Sequence, residues 1–126
     1  MEHPRLFESH DPLIVRLRGL CLPLPEAVEV EAWGRPTFRA GKKIFAIAGS
    51  SMDRPETLVF KPDPEEGRAL REDDRFFVPP YWGPSGWLAI DLDGPGVDWT
   101  EIAELVETSY RQVALKRQLA VLDTVM

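Results

Sequence analysis

Residues 33–46 read Trp33-Gly34-Arg35-Pro36-Thr37-Phe38-Arg39-Ala40-Gly41-Lys42-Lys43-Ile44-Phe45-Ala46. Two strand-like runs, Thr37-Phe38-Arg39 and Lys43-Ile44-Phe45-Ala46-Ile47-Ala48, flank the turn residues Ala40-Gly41-Lys42, which is the pattern of a β-hairpin. The run is also a basic island. From Ala32 to Met52 there are four Lys or Arg and no Asp or Glu, although the whole chain carries a formal charge of -6.

More elements follow outward from this hairpin. Upstream, Ala27 to Trp33 alternates, with Val28, Val30 and Ala32 on one face of a strand and Glu29 and Glu31 on the other. Before it, Asp11 and Pro12 give a cap and a first helical residue, and Leu13, Ile14, Leu17, Leu20 and Cys21 recur at helical spacing until Pro23 and Pro25 stop the helix. Cys21 is expected to be a buried small hydrophobe. Downstream come a strand at Leu58–Lys61, a short helix capped by Asp63-Pro64 and ending near Glu72, and strands at Phe76–Val78 and Gly86–Ile90. One long helix then starts at the capping box Asp98-Trp99-Thr100-Glu101. Its stripe is Ile102, Leu105, Val106, Ser109 and Val113, with Arg111, Lys116 and Arg117 towards its end, where they suit the helix dipole. The order α-β-β-β-β-α-β-β-α predicts an α+β two-layer sandwich, an antiparallel sheet covered on one face by helices.

Composition sets the outer limits. A chain of 126 residues, 44% hydrophobic and 29% charged, fits one globular domain, with residues 1–10 as a loosely held lead. No apolar run approaches the roughly 20 residues of a membrane span, and the first residues lack a signal-peptide pattern. With one cysteine, Cys21, the expected setting is the reducing cytoplasm. The acidic balance disfavours indiscriminate binding to polyanions.

Four motifs carry a family resemblance: Leu24-Pro25-Glu26-Ala27-Val28; residues 33–46; Arg75-Phe76-Phe77-Val78-Pro79-Pro80-Tyr81 with Gly86-Trp87; and Ser109-Tyr110-Arg111-Gln112-Val113-Ala114-Leu115-Lys116-Arg117. Together, in this order, they resemble the MmcQ/YjbR family over about residues 11–119. The resemblance implies a two-layer fold with an antiparallel sheet, and a DNA-binding role through a pair of hairpin wings. The family commonly has a second glycine where this chain has Lys42, so a more basic and stiffer turn is expected here.

Three groups of residues are candidates for binding. Arg35, Arg39, Lys42 and Lys43 on the hairpin, with Lys116 and Arg117, suit phosphate contacts, and Trp33 or Phe38 suits stacking if exposed. The plain alternative is a solvated sheet face whose cations balance Glu29 and Glu31, with Phe38, Phe45 and Ile47 in the core. The loop Pro79–Gly86 gathers Tyr81, Trp82 and Trp87, either as a recognition surface or folded back over the sheet edge. Tyr110 and Arg117, seven residues apart, flank a pocket or meet the hairpin, or else serve packing and the helix end.

Catalysis finds less support. His3 and His10 both precede the first helix, so no scaffold-mounted histidine can act as a base. Paired CxxC, HExxH and phosphate-loop motifs are missing. The acidic run Glu65-Glu66 and Glu72-Asp73-Asp74 is interleaved with Arg68, Arg71 and Arg75, which reads as a salt-bridged surface rather than a metal site. The expectation is a non-enzymatic binding module with no cofactor, metal or membrane. Its partner is expected to be double-stranded DNA, bound weakly and salt-dependently, or a homodimer or protein partner engaged by the sheet face and aromatic loop.

Overall fold

The structure is a computed structural model that describes residues 5, 7–49, 54 and 56–125. His3 and most of the loop after Gly49 lie outside the described residues.

Helix α1 (Pro12–Cys21) opens with the Asp11 carboxylate accepting the Leu13 N–H at 2.8 Å and Pro12 in the first turn. Strands β1 (Ala27–Ala32), β2 (Arg35–Ala40), β3 (Lys43–Ala48) and β4 (Thr57–Phe60) follow. Helix α2 (Pro64–Leu70) is capped by Asp63, and strands β5 (Phe76–Phe77) and β6 (Leu88–Asp91) flank a single 3-10 turn at Gly83–Ser85. The sheet has six strands in the order β1-β2-β3-β4-β6-β5, and every neighbouring pair is antiparallel. β1 and β5 are its edges.

The C-terminal segment departs from the sequence expectation. Instead of one helix, α3 (Trp99–Val113) ends at Ala114, whose ψ of 151° is extended, and α4 (Lys116–Val125) begins again. No proline or glycine marks the break. The Gln118 side chain makes it, because its Oε1 accepts the Leu115 backbone N–H at 2.8 Å, as the glutamine of a capping box does. Lys116 and Arg117 therefore stand at the start of a helix, so the dipole argument for placing them at a helix end does not apply. Arg111 keeps that position in α3 and binds Asp123 of α4 at 2.8 Å.

The helices bury one face of the sheet. Ile14, Leu17 and Cys21 of α1, Ile102, Val106 and Tyr110 of α3, and Leu122 of α4 close over Phe38, Phe45, Leu58, Phe60 and Leu88. The Phe45 and Tyr110 rings meet edge to face at 5.3 Å. Burial raises the Cys21 thiol well above its ordinary pKa, so it stays a packed thiol as expected.

The described part of the N-terminal lead is tied to the domain. Phe7 packs against the core, and the Ser9 carbonyl accepts from Arg18 at 2.7 Å. Among the described residues, no helix is long and apolar enough to cross a membrane.

Candidate functional site

The face of the sheet away from the helices carries the hairpin arginines. Register fixes this: Val28 pairs with Arg39 and Val30 with Thr37, whereas Glu29 pairs with Phe38, which is buried under the helices. Strand alternation therefore sends Glu29 and Glu31 to the helix side and Arg35, Thr37 and Arg39 to the uncovered side. Arg18 of α1 grips Glu29 through two bonds of 2.6 and 3.0 Å, and Arg5 binds Glu31 at 2.9 Å. The expectation that Arg35 and Arg39 balance those glutamates is thus corrected. A period of two places them on opposite faces, and the counter-charges come from Arg18 of α1 for Glu29 and from Arg5 for Glu31.

Among the described residues, neither Arg35 nor Arg39 makes an ion pair. Arg39 Nε donates to Thr37 Oγ1 at 3.3 Å, and Thr37 donates onward to the Val30 carbonyl at 2.6 Å. Arg35 is half-buried, and its Nη1 is a buried donor that meets no acceptor among the described residues. Desolvation by burial lowers its pKa from the ordinary arginine value. A third cation on this face, Arg54, lies 4.1 Å from the centre of the Phe77 ring and binds Asp91 at 3.3 Å.

Tryptophans frame these arginines. Trp33 and Gly34 form the two-residue turn between β1 and β2, with φ of 55° and 78°. Two left-handed residues are what a type I′ hairpin requires, and asparagine or glycine fills the first position more readily than tryptophan. The loop from Val78 to Trp87 folds back so that Trp82 meets Trp33 at 5.7 Å and Trp87 at 5.4 Å. With Ile44, Ile47, Val59, Phe77 and Ala89, the Trp82 and Trp87 rings make a second apolar cluster on the uncovered side. A Cβ at Gly83 would lie 2.2 Å from Val78 Cγ1, so a larger residue there requires the exposed Val78 side chain to shift.

The three loop aromatics therefore have different positions. Trp87 is buried and Trp82 half-buried, so both cover the sheet; only Tyr81 projects, 95% exposed and with a left-handed φ of 66°. Trp33 is 46% exposed. Tyr110 is fully buried, and its hydroxyl donates to the Pro25 carbonyl at 2.7 Å, which removes it from any exposed binding surface.

The remaining cations gather elsewhere. Lys42 and Lys43 of the β2–β3 turn line a cavity of about 440 Å³ together with Arg117 and Glu26, which are bonded to each other. Lys43 precedes Ile44, which belongs to the uncovered-side cluster, so alternation directs Lys43 to the helix side. Lys116 is exposed and does not line this cavity. The six basic residues singled out from sequence are thus divided: Arg35 and Arg39 on one side of the sheet, Lys42, Lys43 and Arg117 around the cavity on the other, and Lys116 outside both groups. The turn itself puts a φ of 69° on Gly41 and leaves Lys42 outside the left-handed region, so lysine strains nothing there.

Sequence reasoning missed three supporting residues. Thr37 is two positions before Arg39, hence on its face, a signal that alternation alone could have given. Glu26 lay in a quoted motif, but its partner is 91 positions away. Gln118 stands three positions after Leu115, half of a capping box with no serine or aspartate to announce it. Among the described residues, no group of three His, Cys, Asp or Glu side chains gathers as metal ligands, and Asp73 of the acidic run is held by Arg75 at 2.7 Å.

Comparison with known proteins adds three findings. The YjbR family model matches residues 22–112. The crystal structure of Deinococcus radiodurans protein DR2400, a DUF419 domain, is similar with a TM-score of 0.65 and 27% identity, covering 79% of this chain and 77% of that one. No protein of curated function matches the chain.

Proposed function

The chain belongs to the YjbR family, and for this member we propose a non-enzymatic DNA-binding role in the cytoplasm, carried by the uncovered sheet face. The observation behind this reading is the guanidinium pair Arg35 and Arg39, which have no carboxylate partner among the described residues of a protein of net charge -6. Phosphate oxygens suit such donors, because guanidinium binds them in a planar fork. Trp33 and Tyr81 add rings against which bases can stack. Only two cations carry the contact, so affinity is low and falls with salt, with a slope that drops by about 1 for each arginine removed.

Fluorescence anisotropy with labelled duplex and single-stranded oligonucleotides, at low and moderate salt, tests this reading. Saturable binding that weakens with salt, and weakens further in Arg35→Ala and Arg39→Ala, is the expected result. Folded protein in excess that leaves the anisotropy unchanged at low salt overturns it.

One observation favours a second reading, a protein-interaction or homodimer surface. Val28 and Val30 stand 42% and 37% exposed on β1, an edge strand whose outer backbone groups have no neighbouring strand. Sedimentation analysis across protein concentration tests it, and a strictly monomeric chain with no partner in pull-downs rejects it.

A further inference from the structure

The cavity between the β2–β3 turn and the α3–α4 joint lies on the helix side of the sheet, apart from Arg35 and Arg39, and is built from four segments of chain. Gly41 donates its N–H to the Glu26 carbonyl at 3.0 Å. Gln118, 1% exposed, bridges the Leu115 N–H and, at 3.4 Å, the Ala40 carbonyl. Tyr110 anchors Pro25 behind it. The walls are thus fixed by bonds between distant parts of the sequence rather than by one flexible loop. Val113 and Leu115 supply an apolar side, and Lys42, Lys43 and Arg117 a cationic one.

The charges at this cavity do not cancel. Three cations face one carboxylate, and Glu26 is committed to Arg117, so Lys42 and Lys43 have no ion-pair partner among the described residues. A local excess of two positive charges in an acidic protein calls for a dianion. A phosphate monoester carries about -1.5 to -2 near neutral pH, whereas a carboxylate leaves one lysine uncompensated. The volume, about 440 Å³, is at the small end of the roughly 300–1,000 Å³ usual for small-molecule sites, enough for one ring or a short chain beside the phosphate.

We propose that this cavity binds a small phosphate monoester, with its phosphate on Lys42 and Lys43 and its apolar body against Val113 and Leu115. The site is independent of the DNA reading, since the sheet separates it from Arg35 and Arg39.

Proton–nitrogen correlation spectra of the intact chain, titrated with phenyl phosphate and in parallel with benzoate, test the proposal. Phenyl phosphate is expected to shift the amides of Gly41, Lys42 and Lys43 and the Gln118 side-chain amide saturably, with an affinity about tenfold or more above that of benzoate. The double variant Lys42→Gln/Lys43→Gln, altered only at exposed positions, is expected to lose that affinity while its unfolding midpoint stays unchanged. Shifts that do not saturate, equal affinity for benzoate, or undiminished binding by the double variant would each overturn it. A shift map centred on Arg35 and Arg39 would overturn it as well.

Discussion

The Ser109 hydroxyl donates to the Phe45 carbonyl at 2.5 Å, joining the middle of α3 to the middle of β3. The same oxygen accepts the Lys61 backbone N–H at 2.8 Å, just beyond the end of β4. One fully buried side chain therefore satisfies two main-chain groups on neighbouring strands. Removing it leaves both without a partner under the helices, where an unmet polar group costs about 1–3 kcal/mol. Ser109→Ala is expected to lower the unfolding free energy by at least that amount, measured by urea denaturation with an unchanged m-value. A loss below about 0.5 kcal/mol would mean that water replaces the hydroxyl.

Tyr110 gives the protein an alkaline dependence. Burial, reinforced by the charge of Glu26 and opposed by that of Arg117, raises its pKa above the ordinary tyrosine value. The fold therefore favours the neutral phenol. Its contribution is complete below about pH 10, the unfolded pKa, and is lost as pH rises from there through the raised folded value. Tyr110→Phe loses the bond to Pro25, about 0.5–1.5 kcal/mol at neutral pH. The difference in stability between wild type and variant is expected to narrow above pH 10. Urea titrations at stepped pH between neutrality and pH 11 read this directly.

Much of the fold was legible because its signals are local. Asp11-Pro12, Asp63-Pro64 and Asp98 each start a helix where the cap chemistry says one should start. The hairpin turn at Gly41 and the alternation of β1 were equally plain. What alternation could not tell was which face the helices would cover. Val28 and Val30 share the face away from the helices, and Arg18 of α1 compensates Glu29 on the other. The break at Ala114 was hidden for a similar reason: Gln118 makes it by one hydrogen bond, with no helix-breaking residue. The candidate sites followed the same division. Arg35 and Arg39 were identifiable as residues, but their separation from Lys42 and Lys43 depends on strand parity carried through a bulge between Phe38 and Arg39.

The Arg18–Glu29 pair gives that hidden face a measurable energy. Both side chains are about three-quarters covered, at 24% and 23% relative exposure, and the guanidinium engages both carboxylate oxygens. Bidentate geometry and partial burial place it above the 0.2–1 kcal/mol of exposed pairs. A double-mutant cycle with Arg18→Ala and Glu29→Ala is expected to return a coupling of about 1–2 kcal/mol that changes little with added salt. Coupling that vanishes at moderate salt would show the pair to be only a surface contact.

Arg35 separates function from stability most sharply. A guanidinium that is half-buried, with Nη1 unpaired among the described residues, lowers the stability of the fold, and an apolar side chain of similar length removes that cost. Since the group is still partly exposed, the gain is at the low end, about 1 kcal/mol or less. Arg35→Met is therefore expected to hold or raise the unfolding midpoint while weakening oligonucleotide binding and reducing its salt slope by about 1. Arg39→Met serves as the comparison, because Arg39 already bonds Thr37 and its replacement should reduce binding with no gain in stability. If Arg35→Met destabilises the protein and leaves binding intact, the arginine is a structural strut and the uncovered face is not the nucleic-acid surface.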